Sequence, residues 1–98
     1  MIGVYVRFDY DGTFDRARVL GVAENARVMF EGMPGLRFKF FTFDEEQQSA
    51  TNFYVWDSKE AAVGFFSDEL RERVTQLYGV GPTIEFVEIA QIVDNSGG

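Results

Sequence analysis

The chain has 98 residues, enough for one domain near the lower end of the usual size range. Sixteen acidic residues against nine basic ones give a net charge of −7 and a sequence pI of about 4.4. The basic footprint needed to bind nucleic acid or an anionic membrane surface is therefore missing. Cysteine and histidine are both absent, which excludes a disulfide, a thiol nucleophile, a thiolate or imidazole metal site and a histidine general base.

Eleven Phe, four Tyr and one Trp are a heavy aromatic load for so short a chain. A domain of this size buries only about 60–65% of its extended surface on folding. The surplus calls for a ligand cavity, a subunit interface, or both. Met1-Ile2-Gly3-Val4 lacks a charged segment followed by a long apolar run, and no stretch approaches membrane-spanning length, so the chain reads as cytoplasmic.

Ile2 to Asp9 alternates, with Ile2, Val4, Val6 and Phe8 on one face and Tyr5, Arg7 and Asp9 on the other, which predicts a first strand. Tyr10-Asp11-Gly12-Thr13 is a turn. From Phe14 to Gly32 the period lengthens. Val19, Val22, Ala26, Met29 and Met33 form a stripe flanked by Leu20, Ala23 and Phe30, predicting an amphipathic helix capped by Thr13 or Asp15. Gly32 and Pro34-Gly35 stop it. Leu36 to Phe43 predicts a second strand, with Leu36, Phe38 and Phe40 opposite Arg37, Lys39 and Phe41.

Asp44 to Ser49 is a solvated hairpin connection, and Ala50 to Trp56 a third strand antiparallel to the second. Asp57 and Glu60 resemble a capping box at the start of a second helix, which Ser67-Asp68 kinks or restarts and Tyr78 to Pro82 ends. Thr83 to Val93 predicts a last strand, apolar on both faces. Residues 95–98 read as a flexible tail behind a single domain, 1–94.

The order β-α-β-β-α-β with right-handed crossovers predicts an α+β, ferredoxin-like sandwich, a four-stranded antiparallel sheet with its helices on one face. The opposite face is expected to carry Phe41, Phe43, Phe53, Val55, Val87 and Ile89, and a homodimer packed sheet against sheet would bury it. Asn52, Tyr54 and Trp56 alternate onto one side of the third strand. That side should also carry Phe38 and Phe40 and look at Met29, Phe30, Met33, Phe65 and Phe66 on the helical side. Polar tips among aromatic bodies suit a pocket for a flat organic molecule, with the Asn52 amide holding a carbonyl or phenolic oxygen. The same pattern also fits an aromatic core whose polar tips are satisfied internally. A general base for a phenol is hard to name, since Tyr titrates near 10 and carboxylates near 4 unless burial shifts them. Arg7 and Lys39 read as exposed or paired at the dimer interface.

Met33-Pro34-Gly35-Leu36, Lys39 and the acidic hairpin, Phe53 through Ala62, Phe65-Phe66-Ser67, Tyr78-Gly79 and Val93-Asp94-Asn95 together resemble the small dimeric α+β barrel proteins. More narrowly, the chain is similar to the antibiotic-biosynthesis monooxygenase-like superfamily over nearly its whole length. The resemblance implies a homodimer with one pocket per subunit between sheet and helices. It also implies oxygenation of an aromatic polyketide or quinol-type substrate with no metal, flavin or other cofactor. Asn52 and Trp56 match the Asn and Trp that the better-understood relatives carry four residues apart on one strand. The Tyr expected after the Trp falls near Ala62, so the third member is missing unless Tyr54 or another Tyr serves. The expected catalytic residues are thus Asn52, Trp56 and Tyr54, with Phe38, Phe40, Phe30, Phe65, Phe66 and Met33 around a small aromatic or hydrophobic molecule. The competing reading is a non-catalytic binding or regulatory module on the same scaffold.

Overall fold

A computed structural model describes residues 1–96, without the side chain of Tyr78. The part of the tail at residues 97–98 lies outside the described residues. Strands β1 (Ile2–Asp9), β2 (Leu36–Asp44), β3 (Ser49–Trp56) and β4 (Thr83–Glu88) form an antiparallel sheet in the order β2-β3-β1-β4. Helices α1 (Arg16–Phe30), α2 (Lys59–Phe65) and α3 (Asp68–Tyr78) complete the ferredoxin-like α+β fold. No helix among the described residues is long and apolar enough to cross a membrane.

Local chemistry sets the ends of these elements. Asp15 caps α1, its carboxylate accepting from the Arg18 amide, while the Thr13 hydroxyl donates to the Tyr10 carbonyl. The second helix is two. Ser67 accepts from the Leu70 amide and starts α3 afresh. The cap of α2 is Ser58, which accepts from the Ala61 amide, and not Asp57, which pairs with Arg37 at 3.3 Å. Gly79, at φ +83°, closes α3, and an Arg18 guanidinium N–H reaches across from α1 to the Leu77 carbonyl. β4 ends at Glu88, short of the expected Val93, because its partner β1 begins at Ile2, opposite Glu88.

The register of β2 departs from simple alternation. Leu36 pairs with Trp56, but Phe38, not Arg37, pairs with Val55; the extra residue is a β-bulge. A one-residue slip exchanges the two faces. Lys39, Phe41 and Phe43 therefore face the helices with Tyr54, Asn52 and Ala50, while Phe38 and Phe40 join Val55 and Phe53 on the open face. The expected placements of Phe38, Phe40, Phe41 and Phe43 are all reversed. Phe38 and Phe40 are 40% and 53% exposed.

The core lies between sheet and helices, where Val4, Phe8 and Trp56 are almost wholly enclosed. Helix α1 contributes less than its stripe predicts. Val19 is buried, but Met29 is 63% exposed, because the C-terminal half of the helix borders a cavity.

Candidate ligand cavity between sheet and helices

The central strands β1 and β3 supply the cavity floor with Val6, Phe8, Asn52 and Tyr54. Phe30 at the end of α1 and Phe65 and Phe66 at the end of α2 stand over it, and α3 adds Leu70, Val74 and Leu77. The enclosed space is about 140 Å³ and is lined mainly by apolar atoms. An apolar cavity of roughly 150 Å³ is large enough to take a benzene ring. A larger ring system would extend toward the rim, where Met29, Leu77, Arg71 and Arg73 are exposed.

Polar atoms gather around β2 and β3. Asn52 and Tyr54 are each 4% exposed, and the bulge turns Lys39 toward them. The Lys39 amine donates to the Tyr54 hydroxyl at 2.8 Å. It lies 3.3 Å from the ring centre of Phe30, 4.2 Å from that of Phe41 and 4.3 Å from that of Tyr54. Burial pushes the Lys39 amine down to about 6, because the charged form loses its hydration. The three ring faces favour the ammonium, each by roughly 0.5–2 kcal/mol, and so oppose the effect of burial. Among the described residues no acidic side chain forms an ion pair with Lys39.

The structure brings together Asn52, Tyr54, Phe30, Phe65 and Phe66, as expected. Trp56 is placed otherwise. It is 2% exposed and does not line the cavity, but stacks behind Tyr54 with ring centres 6.1 Å apart and planes 11° from parallel. Its indole N–H has no hydrogen-bond partner among the described residues. Met33 packs against the core without reaching the cavity, and Phe38 and Phe40 lie across the sheet from it. The residues not anticipated are Lys39, expected to be exposed or paired at the dimer interface, and the α3 wall with Arg71 and Arg73. A signal for Lys39 was available in Phe38-Lys39-Phe40-Phe41, a single cation within an aromatic run. Among the described residues no group of three or more acidic, His or Cys side chains is placed to hold a metal ion.

The ferredoxin-like fold is shared with several solved structures. A monooxygenase from the gene ActVA-Orf6 of Streptomyces coelicolor, in complex with nanaomycin D, matches at a TM-score of 0.69 with 23% identity, covering 97% of this chain and 92% of that one. SnoaB, a cofactor-independent oxygenase from Streptomyces nogalater, matches at 0.67 with 16% identity over 94% of this chain and 95% of its own. NE2512, a protein of unknown function from Nitrosomonas europaea, matches at 0.66 with 13% identity over 98% of this chain and 95% of its own. At these identities the likeness establishes the fold. No protein-family profile matches the chain, and no curated protein does.

Proposed function

We propose that the protein is an oxygenase acting without metal or flavin on an aromatic polyketide or quinol-type molecule held between sheet and helices. One observation carries this reading: a cavity walled by Phe30, Phe65 and Phe66 gathers an amide, a phenol and an amine along β2 and β3. Such a site receives a flat ring by its faces and that ring's oxygen substituent by hydrogen bonds. The fold shared with a monooxygenase and a cofactor-independent oxygenase supports the reaction class.

In the simplest such reaction, a ring CH₂ beside a phenol becomes a carbonyl. The carbon keeps one atom of O₂, the other leaves as water, and the substrate supplies all four electrons. Asn52 orients the substrate oxygen, Tyr54 lies against the ring, and Trp56 fixes Tyr54 from behind. The same reading includes a homodimer formed through the open sheet face.

The test is oxygen uptake by metal-stripped protein with a panel of anthrones and naphthohydroquinones, beside Asn52→Ala and Trp56→Phe. The expected result is uptake above background that falls about 100-fold in Asn52→Ala while binding changes much less. Compounds that bind, shown by quenching of Trp56 fluorescence, without any oxygen uptake would replace this reading with a non-catalytic module for hydrophobic ligands.

A further inference from the structure

The net charge of −7 does not extend into the cavity. Among the described residues lining it, the charged ones are Lys39, Arg71 and Arg73, with no carboxylate. The groups around Lys39 come from several elements. Tyr54 on β3 accepts from its amine, and α3 presents Arg71 and Arg73 across the cavity. On the outer side of Lys39, Arg27 of α1, Glu31 just after that helix and Arg37 of β2 border a separate groove. There Glu31 is held by Arg27 at 3.2 Å and Arg37 by Asp57 at 3.3 Å. The walls from β1, β4 and α2 are apolar.

An amine in such surroundings has no carboxylate to hold its proton, and a cavity whose charged groups are all basic favours an anion. We propose that the cavity takes its ligand as an aromatic oxyanion, Lys39 Nζ removing the proton of a phenolic or enolic hydroxyl and holding the product as an ammonium–phenolate pair. The inference rests on the site being a pocket for a hydroxylated ring, as in the proposed function. The ligand's O–H bond breaks, an N–H bond forms on Lys39, and no electron changes hands. Burial leaves the amine largely unprotonated near neutral pH but also a weak base, so the transfer is driven by the attraction between the ammonium and the phenolate it forms. The hydrogen bond to Tyr54 fixes Nζ at the polar end of the cavity.

The experiment titrates the protein with umbelliferone, a hydroxycoumarin whose neutral and ionised forms absorb at different wavelengths, and with its methyl ether. It is run without oxygen at a pH where the free dye is mostly neutral. Wild-type protein is expected to bind umbelliferone as the phenolate with no net release of protons to the buffer. Lys39→Met should bind it as the neutral phenol, roughly 30-fold more weakly, and should bind the methyl ether as wild type does. Lys39→Arg carries a permanent charge and so cannot take up a proton. It is expected to release about one proton per dye bound as phenolate.

Umbelliferone bound as the neutral phenol to wild type would overturn the proposal. So would wild-type binding that releases a proton, or wild-type protein that takes neither compound. No turnover enters the readout. Phenolate binding without oxygen uptake would sink the oxygenase reading alone, and oxygen uptake with neutral binding would sink this inference alone.

Discussion

A lysine amine enclosed by three aromatic rings is under two opposed forces. The ring faces attract the ammonium, while lost hydration opposes it and pulls Lys39 from 10.5 down to about 6. Between those two values the unfolded chain holds a proton that the folded protein has released. This group's contribution to stability therefore rises with pH across the window and is flat below about 6. Urea denaturation over that window should show wild type gaining stability relative to Lys39→Met as pH rises. Near neutral pH the Met variant should be the more stable by about 2 kcal/mol, since an apolar side chain of similar length has no proton to lose. A constant difference between the two proteins across the window would show that Lys39 is not titrating as described. At this scale the sequence was legible where alternation is regular. Asn52 and Tyr54 follow from a simple count along β3, and both line the cavity. Lys39 does not, because its direction depends on a bulge two residues earlier. Trp56 shares the face but stands beyond the cavity, a distinction that depends on how far α2 covers the sheet rather than on alternation.

Strand and helix types were legible throughout, because the apolar period changes cleanly from two residues to three or four and back. What the pattern left open was where each element stops and how its register settles. A bulge obeys no sequence period, and the Pro-Gly turn before β2 gives no sign of it. Helix starts were clearer, but the capping-box pattern pointed to Asp57, one residue before the true cap. The structure selects Ser58 for α2 and Ser67 for α3. Thermal or urea unfolding should accordingly show a loss of about 1 kcal/mol for Ser67→Ala. Asp57→Ala should lose less than about 0.5 kcal/mol, since its exposed pair with Arg37 contributes little. Equal losses would restore Asp57 as the cap. In β1, close packing governs Gly3. An added Cβ there would stand 2.9 Å from the Phe53 ring and 3.0 Å from Val87, so Gly3→Ala should cost roughly 1–3 kcal/mol through displacement of those side chains. A melting temperature equal to wild type would mean that the open face is looser than described.

On the scale of the whole molecule, the helices cover one face of the sheet and leave Tyr5, Phe38 and Phe40 at least 40% exposed on the other. These side chains are not scattered. Tyr5 and Phe40 lie on either side of Phe53, with ring centres 4.6 and 6.5 Å from it. The chain beyond β4, from Ile89 to Ser96, lines a broad groove together with Phe38, Phe40, Phe53 and Val55, and so does not seal this face. The aromatic surplus in the composition thus divides between a cavity on one side and an open surface on the other. A second copy packed sheet against sheet would cover like with like about a two-fold axis. Sedimentation velocity should then show a dimer for wild type and a monomer for Phe40→Glu, which places a charge from each subunit in a dry interface already opposed by the net charge of −7. Phe40 contributes nothing to the cavity wall, so the monomeric variant should still bind umbelliferone as wild type does. A wild type that sediments as a monomer at high micromolar concentration would exclude the sheet-to-sheet dimer. A Phe40→Glu monomer that loses the dye would show that the cavity depends on the second subunit, a coupling across the sheet through Phe53 and Val55 and the β3 backbone that holds Asn52 and Tyr54.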